Sequence, residues 1–199
     1  MARTLRLATA ADAAGIAAIY APIVRDTAIS FEYEPPTADE IRNRVEATLR
    51  FHPWLVCDAG GVIEGYAYAG QHRVRAAYQW SVDASVYIHE ACRGRGLGRA
   101  LYSALFEILR AQGFFNVYAG ITLPNAASVG LHEAMGLVPV GVYRSVGFKL
   151  GKWHDVGWWE MALMPGAGAP PAAPVALSGL AGGERIAAAL ARGNQLLEG

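Results

Sequence analysis

The sequence is poor in several features, and each shortage excludes a class of protein. It contains only two cysteines, Cys57 and Cys92, which lack the spacing of metal ligands and are interpreted as reduced thiols of a cytoplasmic protein. Its 17 basic residues balance its 17 acidic ones, and a net charge of zero argues against a nucleic-acid-binding protein. No apolar run is long enough to cross a bilayer, and we expect no signal peptide after Met1.

The chain is rich in apolar residues, which make up 53% of its 199 residues. A chain of this length and composition can form one domain with a sizeable core. Strand-like and helix-like patterns are interspersed, and they predict a mixed α/β sheet with helices on both faces. The predicted strands are 5–7, 54–57, 62–69, 80–89, 116–121, 138–143 and 156–163. The predicted helices are 12–20, 37–50, 97–112 and 125–135. Residues 22–36 are predicted to be less regular, because prolines 35 and 36 forbid a helix there.

The composition of the chain changes after Met164, which predicts a domain over residues 1–164 and a tail over residues 165–199. Alanine, proline and glycine dominate as far as Pro174, and this composition is typical of a flexible linker. We expect the tail to be disordered or loosely packed, with a short helix over residues 184–197 as the alternative.

The most informative stretch runs from Ser85 to Leu101, where a strand pattern, a glycine-rich loop and a helix pattern follow one another. Such a junction favours anions, because backbone N–H groups without obstructing side chains and the helix dipole face the ligand. Arg93, Arg95 and Arg99 bring full positive charges to the same place. The loop is neither a Walker loop nor a dinucleotide fingerprint, since Gly-Lys-Ser/Thr and Gly-x-Gly-x-x-Gly are both missing. We therefore predict a phosphate ligand of another kind.

Read as Arg93, Gly96 and Gly98, this loop resembles the Arg/Gln-x-x-Gly-x-Gly/Ala pyrophosphate loop of the GNAT superfamily of acyl-CoA-dependent N-acetyltransferases. Other stretches resemble one branch of it, the phosphinothricin and methionine-sulfoximine N-acetyltransferases. They are residues 51–56, 65–69, 73–80, 120–125, 131–136 and 152–159, so that the resemblance covers about residues 4–163. It implies the GNAT fold, with a mostly antiparallel sheet of about seven strands, and acetyl-CoA as co-substrate without a metal.

The resemblance also implies an activity, the transfer of an acetyl group from acetyl-CoA to the α-amino group of a small amino-acid analogue. Methionine sulfoximine, methionine sulfone and phosphinothricin are the first candidate substrates. Two alternatives stay open. One is the same reaction on another amine, such as a different amino acid, an antibiotic or a protein N-terminus. The other is a non-catalytic acyl-CoA-binding sensor.

The resemblance places the cofactor along the strand, the loop and the following helix. The family's sheet splays at the strand, so that its backbone groups are free to bind pantetheine and the thioester oxygen. The implied cofactor-binding residues are Val86, Tyr87, Ile88, Arg93, Gly94, Arg95, Gly96, Leu97, Gly98, Arg99, Asn125 and Ser128.

Two residues are candidates for catalysis. Asp83 stands where the family carries a glutamate proposed as the general base, and its side chain is one methylene shorter. A misplacement on the order of 1 Å can cost about 10²-fold in rate, and whether Asp83 acts directly or through a water stays open. His132 shares a helix face with Asn125 and Ser128, because the three are spaced i, i+3 and i+7. The resemblance gives His132 an active-site position, as a proton carrier or a substrate contact.

Four residues are candidates for binding the amine substrate. Arg73 and Arg75 flank one residue and would face the same way on a strand, and a forked guanidinium suits a carboxylate. The resemblance places basic residues here near the substrate and makes Phe31 and Tyr78 aromatic contacts.

The remaining histidines and tryptophans are assigned no chemistry. No metal site is predicted, because the histidines have no carboxylate or cysteine partner at ligand spacing. They are His52, His72, His89 and His154. Three tryptophans on a late strand, Trp153, Trp158 and Trp159, suggest a homodimer.

Overall fold

The chain forms one central sheet with helices packed on both faces, in a computed structural model that describes residues 2–164, 172–180 and 183–197. The strands are β1 Thr4–Leu7, β2 Trp54–Asp58, β3 Ile63–Gln71, β4 Ser81–Ile88, β5 Asn116–Leu123, β6 Val138–Lys149 and β7 Lys152–Ala162. The helices are α1 Ala13–Asp26, α2 Ala38–Leu49, α3 Leu97–Gln112, α4 Ala126–Ala134 and α5 Glu184–Gln195. Single 3₁₀ turns occur at 10–12, 76–78, 90–92 and 177–179.

The strands of the sheet lie in the order β1-β2-β3-β4-β5-β7-β6, and every neighbouring pair except β4 and β5 is antiparallel. This confirms the predicted mixed, mostly antiparallel sheet of seven strands. The parallel pair is short, because only residues 81–83 of β4 lie beside residues 116–118 of β5. Beyond that point the two strands separate, although each stays paired on its other side.

The core is built around α3, whose apolar positions recur at helical spacing. Leu101, Leu105, Ile108 and Leu109 are fully buried between the sheet and the neighbouring helices. Gly113 ends the helix in the left-handed conformation, with φ at 93°. A second apolar cluster, formed by α1, α2 and the opposite face of the sheet, completes the two-sided architecture. Among the described residues, no helix combines the length and the apolar character that crossing a membrane requires.

Two element boundaries differ from the sequence-based expectation. Helix α1 does not stop near Tyr20 but continues through Pro22 to Asp26. A proline inside a helix removes one backbone hydrogen bond, and here the burial of Ile23 and Val24 against the core outweighs that cost.

The last two strands are longer than expected and join in a tight hairpin. The predicted strands 138–143 and 156–163 left residues 144–155 as a connection, yet β6 and β7 pair through to Lys149 and Lys152. The two turn residues, Leu150 and Gly151, both have positive φ, of 51° and 77°. This is the backbone of a type I′ turn, and a leucine in its first position gives no turn signal.

The described part of the tail contains a helix that packs against α3, whereas most of the predicted linker lies outside the described residues. Helix α5 runs antiparallel along α3, and Gly193 lets the two approach so closely that a Cβ there would lie 2.9 Å from the Ala100 carbonyl oxygen. The Asn194 side chain accepts a hydrogen bond of 2.6 Å from the backbone N–H of Leu5 in β1. The short helix considered as the alternative is therefore present, and it covers the outer edge of the sheet.

We predict that Asn194→Ala lowers the free energy of unfolding by about 1–2 kcal/mol, because the buried Leu5 amide loses its acceptor. Urea denaturation followed by circular dichroism measures the change. The matched control is Gln195→Ala, at an exposed neighbouring position, which should stay within about 0.5 kcal/mol of wild type. Equal losses in the two variants would contradict a specific role for Asn194.

Candidate active site

A cavity opens where β4 separates from β5. Backbone groups of β4 that would pair in a continuous sheet face this gap, and buried polar groups without a partner favour a ligand that can bond them. The residues around the cavity are Ile29, Ala84, Ser85, Val86, Tyr87, Tyr102, Gly120, Ile121, Thr122, Asn125, Ser128 and His132. The structure thus brings Val86, Tyr87, Asn125, Ser128 and His132 together, as the sequence analysis expected.

The glycine-rich loop leads from the end of β4 into α3. Gly94 and Gly96 both have positive φ, of 73° and 78°, and Gly96 is the residue before the first turn of the helix. The side chains of Arg93, Arg95 and Arg99 are exposed, and none forms an ion pair with a residue in the described ranges. Backbone donors, the helix N-terminus and three available guanidinium groups together suit a pyrophosphate.

A close contact between helices explains the third glycine of the motif. A Cβ on Gly98 would lie 2.8 Å from Leu131 of α4. The absence of a side chain at Gly98 therefore sets how near α4 comes to the loop. A second cavity lies at the end of β4 and is lined by Ile88 and Arg93 on one side and Pro22 of α1 on the other.

His132 is buried in the wall of the cavity, with 4% of its surface exposed. Its Nδ1 lies 2.7 Å from the Ser128 carbonyl oxygen and its Nε2 lies 2.9 Å from the Tyr102 hydroxyl. A carbonyl can only accept, so Nδ1 carries the proton and Nε2 accepts from Tyr102. Burial lowers the pKa of His132 and favours this neutral form. Asn125 caps α4 by accepting from the Ser128 N–H at 3.2 Å, which fixes this end of the helix.

Asp83 lies at the last paired position of β4, at the point where the gap begins. Its Oδ1 is 2.6 Å from Nδ1 of His72, which follows the end of β3. Burial raises the pKa of Asp83, and the hydrogen bond from His72 opposes that rise. His72 carries no sign of this contact in the sequence, because it lies 11 positions from Asp83 and only the β3–β4 register joins them.

The proposed substrate residues divide into two groups. Tyr78 lies beside His72, with ring centroids 6.1 Å apart, and the Arg73 guanidinium lies 5.7 Å from the centre of the Trp158 ring. Arg75 is exposed in the same connection between β3 and β4. Phe31 lies elsewhere, against Gly147 of β6 and 6.2 Å from the His154 ring.

Two residues of the site carry no signal in the sequence. Tyr102 lies in the middle of a buried helix, and the sequence pattern predicts a core residue there, although its hydroxyl reaches the cavity. Trp158 packs across Gly120 and contacts both His72 and Arg73. The described part of the chain has no group of three or more histidine, cysteine, aspartate or glutamate side chains that could hold a metal ion.

Comparison with known proteins agrees with this geometry, since a family profile described as an acetyltransferase (GNAT) domain matches residues 5–158. The chain belongs to the GNAT acetyltransferase family. A phosphinothricin N-acetyltransferase of Streptomyces viridochromogenes is 41% identical over 171 residues, which are 86% of this chain and 93% of that one. An L-methionine sulfoximine/L-methionine sulfone acetyltransferase of Salmonella typhimurium is 37% identical over 80% of this chain and 94% of its own.

A solved GNAT structure gives the same result in three dimensions. It is a phosphinothricin acetyltransferase from Sinorhizobium meliloti in complex with acetyl-CoA, with a TM-score of 0.82 and 35% identity. The match covers 88% of this chain and 96% of that one. The expected GNAT fold and N-acetyltransferase class are thereby confirmed.

We predict that Gly96→Val weakens the binding of acetyl-CoA by about 10-fold or more, because a β-branched residue is strained at positive φ and would distort the loop. Isothermal titration calorimetry measures the dissociation constant. Gly130→Ala in α4 is the control, since a Cβ there meets nothing within 4 Å. An unchanged dissociation constant for Gly96→Val would remove this loop from the binding site.

Proposed function

We propose that this GNAT enzyme transfers the acetyl group of acetyl-CoA to the α-amino group of a small amino-acid analogue. Methionine sulfoximine, methionine sulfone and phosphinothricin are the first substrates to test, because two relatives of this chain carry these compounds in their names. The proposal rests on three features that follow one another along β4. They are the glycine loop, the gap between β4 and β5, and the Asp83–His72 pair.

The first step in this site is the placing of the thioester in the gap. The loop from Arg93 to Arg99 binds the pyrophosphate. The pantetheine arm bonds the backbone of Val86 and Ile88, which faces the gap, and lies beside Tyr87. The Asn125 and Ser128 side of α4 completes the wall on the other side of the cofactor. An N–H group of β4 is then in place to stabilise the oxyanion that forms at the carbonyl.

The second step is attack by the amine. The N–C bond forms, the C–S bond breaks, and the amine gives a proton to a base at the Asp83–His72 pair. A thiol has a pKa of about 8.5, so the departing thiolate takes a proton readily from water near neutral pH. His132 is assigned here to the cofactor side of the gap. Both of its ring nitrogens are already bonded, so it supports the Tyr102 hydroxyl and contacts the ligand through its ring.

Arg75 is the proposed partner of the substrate carboxylate. Arg73 is occupied, because it bonds the His72 carbonyl at 2.7 Å and lies over Trp158, whereas the guanidinium of Arg75 is exposed beside it. Tyr78, in the same connection, provides an aromatic contact for the substrate. Phe31 is proposed as a second aromatic contact, from the side of β6.

The enzyme is expected to release free thiol from acetyl-CoA when methionine sulfoximine, methionine sulfone or phosphinothricin is added, with the acetylated product identified by mass. Arg75→Gln should raise KM for these amines about 10- to 100-fold, because a charge-assisted hydrogen bond is lost. Arg50→Gln, at an exposed position after α2, is the matched control and should leave KM unchanged.

The outcomes separate the competing functions. Thiol release with a different amine only, such as another amino acid or an antibiotic, would overturn the substrate class and keep the reaction. Binding of acetyl-CoA without thiol release from any amine would favour an acyl-CoA-binding sensor.

We also propose that two copies form a homodimer through β6, the edge strand at the opposite end of the sheet from β1. One edge of β6 has no neighbour among the described strands, and large apolar side chains on β6, in the following turn and at the start of β7 are exposed. They are Val138, Val140, Val142, Tyr143, Val146, Phe148, Leu150 and Trp153. Exposed apolar surface of this extent on a sheet edge favours a partner.

The buried free thiols of Cys57 and Cys92 fit a cytoplasmic enzyme.

Light scattering after size exclusion should give about twice the 21.2 kDa mass of the chain. Val140→Glu should convert the protein to the single-chain mass, because a charge on the shared face opposes association. Val62→Glu introduces the same charge at an equally exposed valine in the β2–β3 turn and should leave the mass unchanged. A wild-type mass of about 21 kDa would exclude the dimer.

A further inference from the structure

The contact between His72 and Asp83 joins two residues at the start of the gap. Gly70 lies opposite Asp83 in the β3–β4 register, so His72, which follows the last residue of β3, lies close to the Asp83 carboxylate. The resulting distance from His72 Nδ1 to Asp83 Oδ1 is 2.6 Å. The His72 side chain is 12% exposed, and it is therefore held by its surroundings while part of it still reaches solvent.

Aromatic side chains fix the orientation of the His72 ring. The ring stacks on Tyr118, with centroids 4.4 Å apart and planes 19° apart. Tyr78 and Trp158 meet it edge-on, each with its centroid 6.1 Å away. Because Tyr118 is the β5 residue beside Asp83, the stack places the imidazole over the last paired positions before the strands separate.

The carboxylate determines which nitrogen of His72 carries the proton. An ionised Asp83 can only accept, so Nδ1–H donates to it and the lone pair stays on Nε2. No residue in the described ranges forms a hydrogen bond with Nε2. The pair therefore presents a free basic nitrogen one imidazole ring beyond the carboxylate.

We propose that His72 is the catalytic base of this enzyme and that Asp83 is a positioning residue that acts through it. The inference rests on the proposed acetyl transfer and names the atom that receives the proton. As the amine nitrogen bonds the thioester carbonyl carbon, its proton moves to Nε2 of His72. The C–S bond then breaks, and the resulting imidazolium is stabilised by the Asp83 carboxylate.

The charged and titratable groups around His72 are compatible with this role. Asp83 bonds it from β4, Tyr118 stacks on it from β5, and Tyr78 and Arg73 adjoin it from the connection that it begins. The Arg73 charge favours the ionised form of Asp83 and so supports the carboxylate as acceptor. The arrangement differs from that of His132, whose two nitrogens are both bonded.

The test replaces the ring nitrogens while keeping the aromatic stack. His72→Phe should lower kcat by about 10²- to 10⁴-fold, the range of general-base catalysis, and change KM for the amine by only a few-fold. Added imidazole should restore part of the rate of His72→Ala, which a structural role would not allow. His52→Phe is the matched control, because His52 also stacks on an aromatic ring, that of Phe114, outside the site. It should keep the wild-type kcat.

Kinetic outcomes separate this inference from the proposed function. A wild-type enzyme that acetylates amines while His72→Phe keeps more than about a third of kcat would overturn the role of His72 and leave Asp83 as the direct base. A wild-type protein that releases no thiol with any amine would remove the proposed function itself.

A second measurement decides the inference without turnover. Nitrogen-15 correlation spectra of the five histidines, with His72 assigned from its variant, should show protonated Nδ1 and unprotonated Nε2 in the neutral ring. Asp83→Ala should abolish this preference. The opposite tautomer in the wild-type protein, or an unchanged spectrum in Asp83→Ala, would overturn the inference.

Discussion

The separation of β4 from β5 is the constraint on which the rest of the molecule depends. Two parallel strands that pair for only three positions leave backbone donors and acceptors without partners inside the fold. The gap stays open because β3 holds β4 along its whole length and β7 holds β5 in the same way. A cavity lined by fixed main-chain groups needs no reorganisation when charge develops in it, and this property is what stabilises an oxyanion.

The sheet also divides the two halves of the reaction. Tyr102 and His132 reach the gap from α3 and α4, on the face where the cofactor loop begins. Asp83 points the other way, on the face that Tyr87 shares with Tyr20 of α1. The imidazoles of His132 and His72 therefore lie on opposite faces of the sheet. Both ring nitrogens of His132 are hydrogen-bonded, so it has a structural place in the cavity wall. Nε2 of His72 has no hydrogen-bond partner among the described residues and keeps its lone pair.

Local patterns in the sequence predicted the strands and the loop, but they could not predict contacts that depend on the pairing of two strands. Alternating apolar residues gave the strands, and the spacing of Arg93, Gly96 and Gly98 gave the loop. The His72–Asp83 pair was missed because it depends on the alignment of β3 with β4, which no periodicity reports. Helix α1 was cut short because Pro22 is a helix breaker whose cost is overcome only by tertiary burial.

The hydrogen bond from Leu5 to Asn194 spans 189 positions, so the first strand is covered by the last helix. During synthesis β1 therefore leaves the ribosome well before α5. Until α5 has been made, the outer edge of β1 is an open template for pairing with another chain. The helix that covers this edge thus protects the protein against misassembly between partly synthesised copies.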